Sequence, residues 1–377
     1  MSKKDKQPKN CRLGGVGGQA IIEGVMMKSK TLTAIAVRRM DNKKIAVTRK
    51  PNSSVSDKIK IFKLPILRGF VAFIESMVQS FSTINTGTDM LGLDYQEENA
   101  SKFDKWVEKH CGKWLISVVS AVAMVLGVAL AALLFIWLPT FIGGLVLEWF
   151  GEPTRTENGI KYIIGNASAT GVIRSVVEGV LKVVIFVAYI WLTSLIPDMK
   201  RVYKYHGAEH KSIFCYEAGL ELTVENVKKQ SRFHPRCGTS FMFAMMLLSI
   251  FIGIFITIDT VWLRSLIKIC LLPFTMGIGY EFIRYAGKHD NLLIRILAKP
   301  GLWMQNLTTR EPEDDIIEVG ITSLKCALPD DFPNFYEECV LAMKEWENKE
   351  ETTEETTEET AENPEETEAK EETNLEA

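Results

Sequence analysis

The stretch WLISVVSAVAMVLGVALAALLFIWLPTFIGGLVL, Trp114 to Leu147, contains no charged residue. A helix needs roughly 20 apolar residues to cross the hydrocarbon core of a bilayer. The run therefore predicts a membrane span near 115–137, ended by Pro139. Reading outward, a second span falls near 176–196 and is ended by Pro197; Glu178 and Lys182 stand one helical turn apart in it and can pair. A third, Phe241–Ile258, is free of charge. A fourth covers about 261–282, where Arg264 can snorkel and Lys268 is the awkward residue.

Orientation follows from the Lys/Arg content of the loops. Residues 198–240 hold eight Lys or Arg, against two, Arg155 and Lys161, in 148–172. An even number of spans then places both termini and the 198–240 segment on the cytoplasmic side of the cell membrane. The net charge of −3 conceals a split, because 350–377 carry 13 Glu and one Lys. The rest is modestly basic, which suits an anionic lipid surface but is too dispersed to argue for nucleic acid. Seven scattered cysteines without a CxxC pair read as reduced thiols, and the start Met-Ser-Lys-Lys-Asp-Lys has no signal-peptide core behind it.

The fold class expected is mainly α: a polytopic membrane protein with about four spans, a small N-terminal β-hairpin and cytoplasmic amphipathic helices. The hairpin is read from alternation in Thr31–Arg39 and Lys44–Arg49 around Asp41-Asn42. Residues 64–84 carry a helical apolar stripe, read as an interfacial or re-entrant helix, with a soluble core helix as the alternative. Residues 314–327, capped by Asp314 or Asp315, and 332–348 read as amphipathic helices. The organisation is thus a basic tail (1–11), a cytoplasmic or interfacial region (12–113), spans one and two (114–197), a motif segment (198–240), spans three and four (241–283), cytoplasmic helices (284–349) and a disordered acidic tail (350–377). The Gly14–Gly18 run lacks the Lys-Ser/Thr of a phosphate loop and is read as tight turns or a close backbone approach, with Glu23 able to face the site.

Three of the five histidines fall between 206 and 234. In Tyr205-His206-Gly207-Ala208-Glu209-His210-Lys211, a helix puts His206 and His210 on one face, both able to ligate a metal. Glu209 beside them can act as general base, the HxxEH arrangement of inverted zinc proteases. Gly207 counts against the helix by ~1 kcal/mol. A third ligand is needed, and Glu281 at the end of the fourth span is a candidate; the bland alternative pairs it with Arg284 or Arg264. In Ser231-Arg-Phe-His-Pro-Arg-Cys237-Gly-Thr-Ser240, Thr239 or Ser240 can cap the next helix. Cys237 would sit at that helix's positive end, which favours a thiolate. His234 and Cys237 could complete a Zn²⁺ site, or Cys237 could be a nucleophile with a histidine base. A plain cap beside a membrane anchor is the simpler alternative.

The stretches Gly17–Met27, Pro65–Gly69, Tyr205–Lys211, Leu222–Asn226, His234–Phe241 and Pro300–Pro312 together resemble the YqhQ-like bacterial membrane protein family of unknown function. The resemblance covers about 12–330 and implies a multi-pass membrane protein labelled a predicted metal-dependent enzyme. Combined with the residues, the reading is a Zn²⁺-dependent hydrolase at the cytoplasmic membrane face, with Glu209 and Cys237 as catalytic groups and His206, His210, His234 and Glu281 as the metal set. Peptide and lipid-linked substrates both suit it. The competing reading is a scaffold or assembly factor with membrane-protein partners or a homo-oligomer, favoured by a closed four-ligand site. Transport is a third, resting on Lys268 alone.

Overall fold

The computed structural model describes residues 15–52, 59–92, 118, 122–150, 154–157, 160–163, 167–256, 258, 260–286 and 292–345. The expected tails at 1–11 and 350–377, and the start of the first span, lie outside these residues. Four strands, β1 (Gly17–Ile21), β2 (Gly24–Lys28), β3 (Leu32–Arg38) and β4 (Ile45–Pro51), form an antiparallel meander in the order β1-β2-β3-β4. The hairpin read from the sequence is its β3–β4 half, in register Arg38↔Ile45. The glycine-rich run becomes edge strand β1 rather than a set of turns.

Alternation gives the sheet two apolar faces. Val25, Met27, Ala34, Ala36 and Val47 lie on one, and Ile21, Met26, Ile35 and Val37 on the other. The first face is covered by α4 (Pro197–Glu217) and α9 (Asp314–Ala327), through Tyr205, Ala208, Ile317 and Leu324. Helix α9 forms where 314–327 predicts it, with Glu313 in the capping position. Beyond it, residues 335–345 are helical. The second face receives the end of α1 (Leu67–Asp89), where Gly87 abuts Ile21 and Gln79 Nε2 donates to Thr33 Oγ1 (2.9 Å).

The bundle is built from α2 (Leu138–Trp149), α3 (Ala167–Thr193), α6 (Gly238–Ile254) and α7 (Val261–Ala286), with α8 (Leu292–Thr308) beside it and a ribbon of β5 (Thr154–Glu157) and β6 (Ile160–Ile163) between α2 and α3 in the chain; short α5 (Val224–Lys228) packs instead on α4 and α9. Three helical stretches among the described residues are long and apolar enough to cross a membrane: Val122–Val146, Val172–Thr193 and Val261–Phe282. Helix α6 contributes a shorter apolar stretch, Met245–Ile254.

Pro139 does not end its helix. A π-helical turn, Leu133–Trp137, precedes it, and α2 runs on to Trp149. Proline removes a donor and presses on the carbonyl four residues back, here Phe135 inside that turn, so the wider turn accommodates it. Nor does Glu178 hydrogen-bond Lys182. Its carboxylate receives Arg174, Arg264 and Lys268, and Lys182 donates to Ser249 Oγ (2.5 Å).

Helix α1 joins bundle to sheet. A Cβ at Gly69 would stand 2.7 Å from Tyr280 Cβ, and one at Gly277 2.5 Å from the Ile66 carbonyl oxygen. Only glycine permits this crossing. Gly277→Val should destabilise the protein by about 1–3 kcal/mol through overpacking, read as a lowered unfolding temperature in detergent; an unchanged transition would show that the crossing is not tight.

Candidate functional site

Pro197 starts α4, where its missing N–H costs nothing, and Asp198 lies in the positive first turn. The helix then runs through the His-Gly-Ala-Glu-His segment, with Gly207 inside it. A Cβ there would overlap the Arg310 carbonyl oxygen and crowd Pro312. Glycine lets α4 meet the Arg310–Pro312 strand of chain, and Arg310 N–H donates to the Tyr203 carbonyl (2.9 Å). The helix-weakening glycine is a packing requirement.

That approach orients the imidazoles. His206 Nδ1 lies 2.8 Å from the Thr308 carbonyl oxygen, and His210 Nδ1 2.5 Å from that of Arg232. A carbonyl only accepts, so each Nδ1 carries the proton and each Nε2 keeps its lone pair. Cys237 Sγ lies 3.3 Å from His206 Nε2. Ligand atoms of His206, His210 and Cys237 all fall within 4.8 Å of one another. Cys237 occupies the N-cap of α6, so the positive end of that helix faces the cluster. Glycine, threonine and serine follow it as the first helical residues.

Glu209 Oε2 stands 3.9 Å from His206 Nε2. The carboxylate is buried, and a Cβ at Gly18 of β1 would lie 2.6 Å from its Cγ. Burial pushes its pKa up to about 7, against a smaller lowering by His206. The glycine run of β1 thus makes a close backbone approach onto the candidate base.

His234 stands beside the cluster, its ring 5.5 Å from that of His210 and 4.5 Å from Phe214. Its Nδ1 accepts from Arg236 N–H (3.3 Å), and Nε2 faces Glu217 Oε2 at 3.7 Å. Burial lowers its pKa below the ordinary imidazole value. Its ring nitrogens are directed to Arg236 and Glu217, outside the three-atom cluster. Glu281, a candidate third ligand, is paired with Arg68 of α1, which grips both carboxylate oxygens; Arg264 is bound to Glu178, and the side chain of Arg284 lies outside the described residues. Among the described residues Cys237 is the group whose ligand atom gathers with those of the two histidines. Glu23 does not reach the cluster face; it binds Arg201 and the Tyr205 hydroxyl (3.1 Å). Its φ of 52° is left-handed backbone that usually favours glycine, kept here with that ion pair.

Sequence reasoning missed Gln305. Fully buried on α8, it accepts from His234 N–H (2.7 Å) and donates to the His234 carbonyl (2.7 Å). The available signal was helical spacing, which sets Gln305 with Met304 and Leu307 toward the inner side and the second amide, Asn306, outward.

A family model described as "Protein of unknown function (DUF1385)" matches residues 64–330. The chain belongs to this family. The uncharacterized protein YqhQ of Bacillus subtilis (strain 168) is 34% identical over 310 residues, covering 81% of this chain and 90% of that protein. No solved structure matches the chain. The DUF1385 match holds His206, Glu209, His210, His234 and Cys237, while Gly18, which closes over Glu209, precedes it.

Two outcomes follow for metal-free protein. Unfolded Glu209 releases its proton near 4.5 and the folded residue near 7, so the folded state holds the extra proton between those values. Stability therefore falls as pH rises across that window. Glu209→Gln should flatten the fall in unfolding experiments; an unchanged slope would assign it to other groups. Gln305→Leu leaves the His234 N–H unpaired, while the His234 carbonyl keeps the Cys237 N–H (3.3 Å), and should cost about 1–3 kcal/mol in the same measurement.

Proposed function

We propose that the chain is a membrane-embedded, metal-dependent hydrolase with Zn²⁺ held by His206, His210 and Cys237 at the cytoplasmic membrane face. The observation that carries this is the pair of backbone carbonyls, of Thr308 and Arg232, that fix both Nε2 lone pairs toward one thiol. Hydrogen-bonded Nδ1 groups of this kind orient histidine ligands and raise their basicity. The donor set of two nitrogens and one sulfur suits zinc, whose tetrahedral ligands stand roughly 3.5 Å apart, close to the 3.3 Å between Cys237 Sγ and His206 Nε2. His234, whose buried Nε2 stands 3.7 Å from Glu217 Oε2 without a hydrogen bond among the described residues, lies outside the cluster of His206, His210 and Cys237, which leaves a three-ligand set with an open position. Zinc in such a site supplies Lewis acidity.

The protein's own groups supply the rest. Glu209, poised near neutrality behind Gly18, takes a proton from the attacking water and returns it to the leaving group. A groove of about 490 Å³ lies along Gly15–Gln19 and reaches Lys28, Ser80 and Arg236. It touches Gly18 on one side and the neighbour of Cys237 on the other, and substrate enters by it. The Lys/Arg excess of 198–240 supports a cytoplasmic placement for this face, with α6 as the third of four spans.

A second reading rests on the Cys237–His206 contact. With Nδ1 donated to Thr308, His206 Nε2 is free to take the thiol proton, which makes a cysteine nucleophile without metal. That reading gives His210 no part, although His210 is oriented in the same way.

Metal content by mass spectrometry on detergent-purified full-length protein separates the two. About one equivalent of zinc is expected in the wild type, retained by Glu209→Gln and lost in His206→Ala/His210→Ala. No metal in chelator-free wild type, together with alkylation of Cys237 slowed by His206→Ala, would replace the hydrolase centre by the cysteine nucleophile.

A further inference from the structure

A second polar centre lies in the bundle. Arg174 and Arg264 are fully buried, and with Lys268 they surround the one carboxylate of Glu178, at 2.9 Å from Arg174 Nε and 3.0 Å from Arg264 Nε. Lys182 adds a fourth cation within electrostatic reach of Glu178, and Glu148, exposed at the end of α2, faces Arg174 as a second anion. Among the described residues these four cations face two carboxylates. Charge at membrane depth is expensive, and a surplus of one sign calls for a counter-ion. Lys268, with 15% of its side chain exposed, is the cation of the Glu178 triad within reach from outside.

The same place carries an unoccupied hydrogen-bonding group and an apolar surface. A groove of about 390 Å³ runs between the π-helical turn and α7, lined by Leu133, Ile136, Trp137, Trp262, Leu266 and Ile269. Ser265 also lines it; its hydroxyl is buried and has no partner among the described residues. Ser265 adjoins Arg264 in sequence. Thr140, one turn beyond Trp137, accepts from Lys268 Nζ (2.8 Å). The groove wall and the cation cluster thus share two helices. Trp262, in the first turn of α7, marks the headgroup level, where indoles concentrate.

We propose that this end of the bundle binds an anionic phospholipid, its phosphate drawn to Lys268 and Ser265 and one acyl chain laid in the groove. Charge complementarity selects an anion. An apolar wall open on the bilayer side selects one with a hydrocarbon chain over a free phosphate. The centre is separate from the His/Cys cluster: from Glu178 to the end of α3 is roughly 22 Å along the helix axis, and α4 begins after that.

Native mass spectrometry of the full-length protein, titrated with phosphatidylglycerol and with phosphatidylcholine of the same chains, tests this. Phosphatidylglycerol should be retained in preference by roughly fivefold or more, the scale of one cation near a membrane surface. Lys268→Gln, which keeps a hydrogen-bonding amide for Thr140 and Glu178, should abolish the preference. Ile269→Trp, which fills the groove from an exposed position, should weaken retention of both lipids. Equal retention of the two lipids by the wild type, or a preference unmoved by both substitutions, overturns the proposal. Displacement of phosphatidylglycerol by millimolar inorganic phosphate, with no effect of Ile269→Trp, would assign the site to a soluble anion. A second copy of the chain crosslinked across Ile269 in place of lipid would assign it to an oligomer contact.

Discussion

Helix α4 is buried along most of its length while carrying two histidines, a glutamate and a lysine in six residues. That constraint organises what surrounds it. Buried polar groups need partners, and backbone carbonyls supply most of them. Thr308 and Arg232 take the imidazole N–H groups, and the Lys228 carbonyl takes Lys211 together with Glu311. The chain after α8 can come that close because residue 207 has no side chain. Strand β1 can cover Glu209 because residue 18 has none either. Three separate segments are therefore positioned by one helix, and their polar atoms converge on a small volume.

Helix α1 carries this assembly onto the membrane bundle. Its first turns cross α7 at Gly69 and Gly277, and its last turn rests on the sheet at Gly87. The Arg68–Glu281 pair closes the crossing beside Tyr280. Between the two ends Ile74, Met77 and Val78 stay exposed, continuing an apolar stripe from Leu64 and Leu67. A helix held at both ends by tight contacts and apolar on its free side is suited to the bilayer surface.

The length of their apolar runs made α3 and α7 legible, and helical spacing made α9 legible, because a bilayer asks for continuous apolar length and a sheet for one apolar face. The hairpin β3–β4 was legible from its alternation. The pairing of β1 and β2 was not: Gly17 and Gly18 have no side chains to alternate, and the strand exists because α4 and β2 hold it. Pro139 misled because a π-helical turn absorbs its clash, an effect of backbone geometry rather than of residue type. At the site, His206, His210 and Glu209 could be placed together by helical spacing alone. Cys237 could be offered but not chosen over Glu281, since both choices depend on which arginine reaches which carboxylate. Glu281 pairs with Arg68 from 213 residues away, a contact that local spacing does not show.

The two polar centres are linked by the break between α3 and α4. Three residues, Ser194 to Ile196, separate the span from the histidine helix. Ile196 takes extended backbone (ψ 128°) before Pro197, which has no N–H to give back to α3, and the first helix ends here. The Thr193 hydroxyl, 3.1 Å from the Tyr203 hydroxyl, then fixes the angle at which the second departs. A cluster built on α4 is therefore tied, through the first turns of α4 and a three-residue break, to the end of an apolar helix whose other end is anchored by buried Arg174. Tilt or shift of α3 would be felt first by Tyr203 and next by Arg310, whose carbonyl lies against Gly207 between the two histidines.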